Sequence, residues 1–407
     1  METAAMMATE KIFTVCVILL ITGIVSGKIS KFIKLPDVVV FLMAGILIGP
    51  SCFGFIDLDN NAISYQLILT FGSAFILYDG GREIKLSVLN DIKITVGLLA
   101  TLGVFISTFS IGAIIMYIFH IDFIYALLLG AIIASTDPAT LVPVFQEVKI
   151  KKRVKQAVIS ESAFNDAAGA ILVFSILTII QSGEFSLSSN VKDLFIMLFG
   201  GTFVGIVMGF IFSFSIDEKY GFFKEYAPLI SILAVVISFT AAEAIHGSGY
   251  MATFILGLIC GNKKKFKFFV PEENFLNQSH VRETLSLLMR MSIFILLGTH
   301  VDFIALSKYW KLALIISLAL MFIARPIVVF VCTSLDLKTK WSLKEILFII
   351  WVRETGVIPA ALSGMVVSMH IPHSDIISSV VFMTILITLV IQASTTKYVA
   401  EKLDLLE

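Results

Sequence analysis

The feature that most constrains this chain is a succession of long apolar segments separated by short loops. Of its 407 residues, 58% are hydrophobic and only 15% are charged, and the mean hydropathy is +0.97. Soluble domains average about 45–50% apolar and about 25% charged residues. This chain therefore has too few charges to cover the surfaces of soluble domains, and an all-α polytopic membrane protein in a lipid bilayer is predicted.

The apolar segments predict the number of transmembrane helices. A spanning helix needs about 20 mostly apolar residues, and thirteen segments approach or exceed that length. They cover residues 11–27, 37–49, 64–81, 92–119, 123–146, 154–181, 192–215, 225–246, 249–262, 284–301, 309–333, 342–367 and 375–396. The second and ninth are short, so we expect them to be tilted or packed inside the bundle.

The basic residues predict the orientation of these spans, since cytoplasmic loops carry an excess of Lys and Arg. With the N terminus outside and the C terminus in the cytoplasm, twenty-three of the thirty basic residues fall in cytoplasmic loops. The residues before the first span are acidic and lack the basic stretch of a cleaved signal peptide. A multi-pass protein of the cell membrane, meaning the inner or plasma membrane, is expected.

Several functions are excluded by charge and by motif. The formal net charge is zero, so the electrostatic footprint of a nucleic-acid-binding protein is missing. The short loops leave no room for a soluble catalytic domain, and no GxxxxGK[ST] motif indicates use of ATP. The four cysteines are scattered and predict neither a disulfide framework nor a zinc site. We therefore expect no enzyme and no cofactor.

An internal repeat organises the predicted spans into a single transmembrane transporter domain. Residues 45–49 (GILIG) match residues 257–261 (GLICG), and two further matches lie at nearly the same offset. Spans 1–6 (about 11–181) would then pair with spans 8–13 (about 225–396) as inverted six-helix repeats, with span 7 (about 192–215) as the linker. Inverted repeats are typical of secondary transporters, which bind substrate near the membrane midplane where helices break.

Charged residues inside the spans are the main functional signal. A charge at the centre of a membrane helix costs about 2.5–3.5 kcal/mol on insertion scales, so such residues face water, pair or titrate. Six acidic residues lie within the predicted spans: Asp79, Asp137, Glu161, Asp166, Glu243 and Glu354.

Two spans combine charges with helix-breaking prolines. Span 5 contains Asp137, Pro138 and Pro143, and span 12 contains residues 353–356 (RETG) followed by Pro359. Proline removes a helical hydrogen bond, and backbone groups freed inside the membrane need other partners. Two broken helices that cross at mid-depth are predicted to form an ion site. A pair of proline kinks without a ligand is the alternative, but it does not explain the charges at both breaks.

Span 6 supplies the candidate ligands. Asp166 lies about twelve residues into the span, or about 18 Å deep at 1.5 Å per residue, and Ser162 shares its face. Carboxylate and hydroxyl oxygens suit a small cation, and a carboxylate also binds a proton, so one site could exchange the two. Arg353 is permanently charged and needs a partner, for which Glu161 is the candidate.

Three motifs together resemble a known family. Thr136-Asp137-Pro138, Glu161-x-x-x-Asn165-Asp166 and Arg353-Glu354-Thr355-Gly356 are similar to the NhaP-type Na⁺/H⁺ antiporters of the monovalent cation–proton antiporter family. The resemblance covers essentially the whole chain. It implies a homodimer of thirteen-helix protomers, each with a six-helix core bundle that moves against a dimerisation domain.

The resemblance also implies the ion ligands. Asp166 would be the shared cation and proton site, with Ser162, Asp79 and the backbone of Thr136 as co-ligands. Asn165 would stabilise the crossed broken helices. Relatives often carry Glu at the position of Asp79, so its shorter side chain leaves direct coordination open.

Further residues are expected to support the site. The resemblance implies a structural ion pair between Glu161 and Arg353, and Arg325 lies in another segment similar to the family. Asp137 is expected to stay ionised and to compensate open helix N termini. Glu354 follows Arg353 where many relatives have glycine.

The predicted function is a secondary active Na⁺ (or Li⁺)/H⁺ antiporter. Asn165 cannot titrate beside Asp166, so one carboxylate alternating between one proton and one cation predicts electroneutral exchange. A K⁺/H⁺ antiporter of the same fold is the first alternative. A cation channel is the second, although no ring-like filter is visible in the sequence.

Overall fold

A computed structural model describes residues 2–33, 35–56, 63–136, 145, 150–182, 187–217, 219, 221–268 and 272–406. Within these ranges the chain is helical, and the single β-type contact is an antiparallel bridge between Ile150 and Leu406. The prediction of an all-α protein is confirmed.

The first half of the chain contains eight described helices, all long or strongly apolar. They are α1 (Glu2–Ile33), α2 (Asp37–Ile48), α3 (Ile63–Glu83), α4 (Leu86–Ala100), α5 (Leu102–Phe119), α6 (Phe123–Ala134), α7 (Lys152–Ser182) and α8 (Leu187–Ser215).

The second half adds nine described α-helices and four irregular segments. The α-helices are α9 (Ala227–Ala244), α10 (Gly249–Gly261), α11 (Glu272–Thr299), α12 (Phe303–Ala319), α13 (Arg325–Leu335), α14 (Leu343–Trp351), α15 (Val357–Ser368), α16 (Ser374–Ile387) and α17 (Ser394–Lys402). Short 3₁₀ turns cover Lys224–Tyr226 and Lys263–Phe266. A π-helical segment at Leu320–Ala324 joins α12 to α13, and another at Thr388–Ala393 joins α16 to α17.

The helices fall where the apolar segments predict them. Among the described residues, seven helices are long and apolar enough to cross a membrane, namely Thr9–Ile33, Leu86–Phe119, Lys152–Ser182, Phe195–Ser215, Lys224–Ala244, Phe303–Leu335 and Ser374–Lys402. Four shorter apolar helices, α2, α6, α10 and α15, lie among them. That thirteen segments cross the membrane stays a prediction.

The outer surface is apolar where α1 and α8 form it. Phe13 on α1 is 68% exposed and Phe203 on α8 is 65% exposed. Contiguous exposed apolar faces of this kind are rare on soluble proteins. A bilayer or another protein subunit is the environment that such faces require.

Close helix contacts build the interior. A Cβ atom added at Gly201 of α8 would lie 2.4 Å from the carbonyl oxygen of Ser248, and one added at Gly205 would lie 2.5 Å from that of Ala252. These glycines, spaced four residues apart, let the backbone of α8 touch α10 within one protomer.

The predicted break in span 12 is present. Helix α14 ends at Trp351, residues 352–356 are non-helical, and α15 begins at Val357. Pro359 is the third residue of α15, where a missing N–H costs no helical hydrogen bond. In span 5, α6 ends at Ala134 and is followed by extended residues, while Asp137, Pro138 and Pro143 lie outside the described residues.

Candidate functional site

The end of α6 is held against α7 by a small network of buried polar side chains. The Thr136 backbone N–H donates to Asn165 Oδ1 at 3.1 Å, and Asn165 Nδ2 donates to Thr136 Oγ1 at 2.9 Å. The Thr136 hydroxyl then donates to Ser162 Oγ at 2.9 Å. Asn165 therefore holds the extended residue after α6 by both its backbone and its side chain.

Asp166 follows Asn165 on α7 and is 2% exposed. Ser162 lies one turn before it, on the same side of the helix. Gly169 lies on the next turn, where an added Cβ would be 3.2 Å from the Ser135 Cβ. The small residue at 169 lets the open end of α6 approach the face of α7 that carries Ser162 and Asp166.

Arg353 joins the non-helical segment of span 12 to the end of α6. It lies in the non-helical segment between α14 and α15, and its Nη2 donates to the carbonyl oxygens of Ile133 and Ala134, the latter at 3.0 Å. The last carbonyls of a helix have no helical partners and form the negative end of its dipole. The guanidinium therefore caps α6 and neutralises the charge at that end.

The ion pair of Glu161 differs from the one predicted. Glu161 binds Arg325, with Nη2 and Oε2 3.0 Å apart, and both side chains are buried. Arg325 also donates to the Ile349 carbonyl from Nη2 at 2.8 Å and from Nε at 3.2 Å. The predicted pairing with Arg353 is wrong because the guanidinium of Arg353 is engaged by the carbonyls at the end of α6.

The π-helical segment before Arg325 positions this pair. Leu320–Ala324 adds an extra residue to the turn that leads into α13, and Arg325 is the first residue after it. The two parallel hydrogen bonds from Arg325 to Glu161 connect α13 to α7. The hydrogen bonds from Arg325 to the Ile349 carbonyl connect α13 to α14. A fork of two parallel hydrogen bonds fixes geometry as well as charge.

Asp79 forms an ion pair with Arg282 of α11. Glu83, one turn further along α3, has its Oε1 3.6 Å from Arg282 Nη1. The carboxylate predicted as a co-ligand of the ion is therefore bound to a guanidinium in this conformation.

Two other acids of the spans also have defined positions. Glu354 is fully buried beside Arg353 in the non-helical segment. Glu243 accepts a hydrogen bond from the Gly249 backbone N–H at 2.8 Å and so caps the start of α10. The sequence offered no partner for Glu243.

The second π-helical segment supplies a contact that the sequence did not reveal. Thr388 lies in it and accepts a hydrogen bond from the Thr355 backbone N–H at 3.1 Å. Nothing in the apolar run around Thr388 distinguishes it from other threonines in membrane helices. It holds the non-helical segment against the second π-helical segment.

The site offers oxygen ligands to a cation. No group of three or more His, Cys, Asp and Glu residues is arranged to hold a metal ion in the part of the chain that is described. The atoms suited to a small cation are the Asp166 carboxylate, the Ser162 hydroxyl and the backbone of Thr136. Such a cation would be a substrate held by one carboxylate.

Comparisons with known proteins show the family and the fold. The family described as sodium/hydrogen exchanger, transmembrane, matches residues 6–402. Na⁺/H⁺ antiporter 1 of Methanocaldococcus jannaschii is 30% identical over an alignment of 409 positions that covers 94% of each chain. The K⁺/H⁺ antiporter NhaP of Alkalimonas amylolytica is 28% identical over 95% of this chain and 66% of its own. The solved structure of the sodium proton antiporter MjNhaP1 from M. jannaschii at pH 8 gives a TM-score of 0.83 at 28% identity, covering 97% of this chain and 99% of that one.

Proposed function

This chain belongs to the transmembrane sodium/hydrogen exchanger family, and from that premise we propose that it is a secondary active Na⁺/H⁺ antiporter whose two substrates compete for Asp166. The observation that carries the proposal is the position of Asp166. It is a buried carboxylate beside Ser162, next to Asn165, where the end of one broken helix is held.

Competition at one carboxylate explains why exchange would be obligatory. An ionised Asp166 binds Na⁺ with help from the Ser162 hydroxyl and the Thr136 backbone, and protonation releases the cation. An empty, ionised carboxylate is costly to move through a low-dielectric interior. The site therefore changes sides with a proton or a cation bound, and each occupant must be exchanged for the other.

The surrounding contacts supply a rigid frame. Asn165 clamps Thr136, Arg353 caps α6, and the Glu161–Arg325 pair links α7 to α13 and α14. A cation site needs its ligands held before the ion arrives, because reorganisation would consume binding energy. These residues are assigned to support, and Asp79 is kept as a candidate co-ligand.

One-for-one, electroneutral exchange is the proposed stoichiometry. Asn165 occupies the place beside Asp166 where a second acid could carry a second proton. Asp137 and Glu354 are the other acids of the broken segments, and each is proposed to keep its charge state during the cycle.

The wider arrangement is proposed from the same premise. We place the chain in the cell membrane as a homodimer with the N terminus outside and the C terminus in the cytoplasm, and with inverted repeats related through span 7. The basic loops support the orientation. The exposed aromatic residues of α8, which include Phe199 and Phe203, are available for lipid or a partner subunit.

The test is exchange by purified protein in liposomes that contain a pH-sensitive dye. Na⁺ and Li⁺ added outside should each change the internal pH, and the response should not depend on a clamped membrane potential. A larger response to K⁺ than to Na⁺ would favour the K⁺/H⁺ alternative, to which the Alkalimonas relative gives support. A voltage-dependent response would reject one-for-one exchange, and Asp137 and Glu354 would then be replaced first.

A further inference from the structure

We propose that Arg282 is a tethered cation that competes with the transported ion for Asp79 and so sets the affinity of the transporter for Na⁺. The inference rests on the proposed antiport function and adds a specificity-determining residue to it. The motifs that identify the site do not include Arg282, which lies on α11, far from them in sequence.

Arg282 is surrounded by the carboxylates of three acidic residues. Its Nη1 bonds to Asp79 and lies 3.6 Å from Glu83 Oε1, and its Nη2 lies 3.5 Å from Glu283 Oε1. Nη2 also donates to Ser279 Oγ at 3.2 Å. The Arg282 side chain is 10% exposed and that of Asp79 is 22% exposed. Three carboxylates thus surround the guanidinium of Arg282, and Arg82 also interacts electrostatically with Asp79.

Helix α3, which carries Asp79, is linked by packing contacts to α7, which carries Asp166, through a residue of α10. A Cβ added at Gly81 would lie 2.3 Å from the Phe254 carbonyl oxygen, so this turn of α3 touches α10 directly. The Phe254 ring packs edge-on against Phe164, with centroids 4.6 Å apart. Phe164 is two residues before Asp166. Phe254 therefore contacts both α3, two residues after Asp79, and α7, two residues before Asp166.

Chemistry makes the guanidinium a competitor for a cation. Arginine remains charged at all physiological pH values, and a charge-assisted hydrogen bond is stronger than a neutral one. While Arg282 holds Asp79, that carboxylate is neutralised and cannot attract Na⁺. Removing the guanidinium frees one negative charge and deletes one positive charge, and both changes raise the local cation concentration.

The experiment is a double-mutant cycle on the KM for Na⁺ in proteoliposomes. Arg282→Gln should lower KM about twofold to fivefold, the factor that a partly exposed ion pair is worth. Arg282→Lys keeps the charge without the fork and should give an intermediate KM. The effect of Arg282→Gln should shrink when Asp79→Asn is already present, because the two residues act as a unit.

A matched control lies on the same helix. Arg290 of α11 forms an ion pair with Asp37 of α2 at 2.9 Å, two turns beyond Arg282. Arg290→Gln removes the same charge from the same helix and should leave KM unchanged.

Several results would overturn the inference. An unchanged or raised KM in folded Arg282→Gln would do so. An equal change in KM when Asp79→Asn is already present would also do so, because Arg282 would then act through its charge alone and not through Asp79. If Arg282→Gln does not fold, a KM of Arg282→Lys at or above the wild-type value serves as the contradicting result. The same assay measures exchange by the wild-type protein. If the wild-type protein does not exchange Na⁺ for H⁺, the proposed function itself is rejected.

Discussion

At the residue scale, the identity of the partner of Glu161 has the clearest consequence. The buried pair with Arg325 predicts that Glu161→Gln or Arg325→Gln alone will lower the free energy of unfolding by about 3–5 kcal/mol, because each leaves an unmatched buried charge. The double variant should recover most of the loss. Melting temperatures in detergent measure both effects.

The alternative partner provides the control. Combining Glu161→Gln with Arg353→Gln should not recover stability, since Arg353 bonds to the carbonyls at the end of α6. Recovery by the Arg353 variant and none by the Arg325 variant would show that the observed pairing is not the one that stabilises the protein.

Lys263 gives a second residue-scale prediction, on pH. It follows α10 in a 3₁₀ turn, is buried, and its Nζ has no hydrogen-bond partner in the described part of the chain. Burial lowers the pKa of Lys263 from 10.5 to about 8. Below pH 8 the folded protein keeps the ammonium buried and bears the full cost. Between about pH 8 and 10.5 the folded state releases the proton first, so stability from this group rises with pH.

Lys263→Met should therefore raise the melting temperature at pH 7, and the gain should fall as the pH approaches 10. Lys264 on the same turn is exposed, so Lys264→Met should change the melting temperature little at either pH. A gain for Lys263→Met that stays constant from pH 7 to pH 10 would exclude the depressed pKa.

Part of the candidate site could be predicted from the sequence. Ser162, Asn165 and Asp166 are grouped by helical spacing, and the structure adds the hydrogen bonds that join Asn165 and Ser162 to Thr136. Three arginines lie within the predicted spans, and helical spacing does not show which of them pairs with Glu161. The choice depends on where the non-helical backbone directs Arg353, and side-chain spacing along one helix does not contain that information.

At the element scale, the break between α14 and α15 could be predicted from the sequence. The two π-helical segments that position residues bonded to this broken helix could not. The charged RETG stretch and Pro359 mark the break in the sequence. The two π-helical segments lie inside predominantly apolar runs, where one extra residue per turn leaves no trace in the composition. Such segments often occur at functional sites, and here one precedes Arg325 and the other contains Thr388.

Thr388→Val tests the support from the second π-helical segment. Valine keeps the shape but leaves the Thr355 N–H without its acceptor, at a cost of about 1–3 kcal/mol for an unsatisfied buried donor. We expect a lower melting temperature and slower Na⁺/H⁺ exchange. Thr178 is exposed and donates a hydrogen bond to the Phe174 carbonyl of its own helix, so Thr178→Val should leave both unchanged. Equal behaviour of the two variants would contradict the role of Thr388.

At the scale of the whole molecule, hydropathy predicts the helices and their order but not their neighbours. The low charge content and the long continuous apolar segments predict a membrane-embedded helical bundle, because a helix satisfies all of its backbone groups within one segment in lipid. The crossing of Arg353 with the end of α6 and the pairing of Arg282 with Asp79 join residues more than 200 positions apart. Such contacts depend on how all the helices pack together. The spacing of residues along one helix does not predict them.

The most direct test of antiport at a shared carboxylate is Na⁺-driven proton movement by Asp166→Asn in proteoliposomes. Asparagine keeps the size of the side chain but can neither titrate nor carry the charge that binds the cation. The variant should melt at or above the wild-type temperature, because a buried charge has been removed, and should produce no Na⁺-dependent change in internal pH. Wild-type pH changes from the folded Asp166→Asn protein would contradict the assignment of Asp166 as the site that the cation and the proton share.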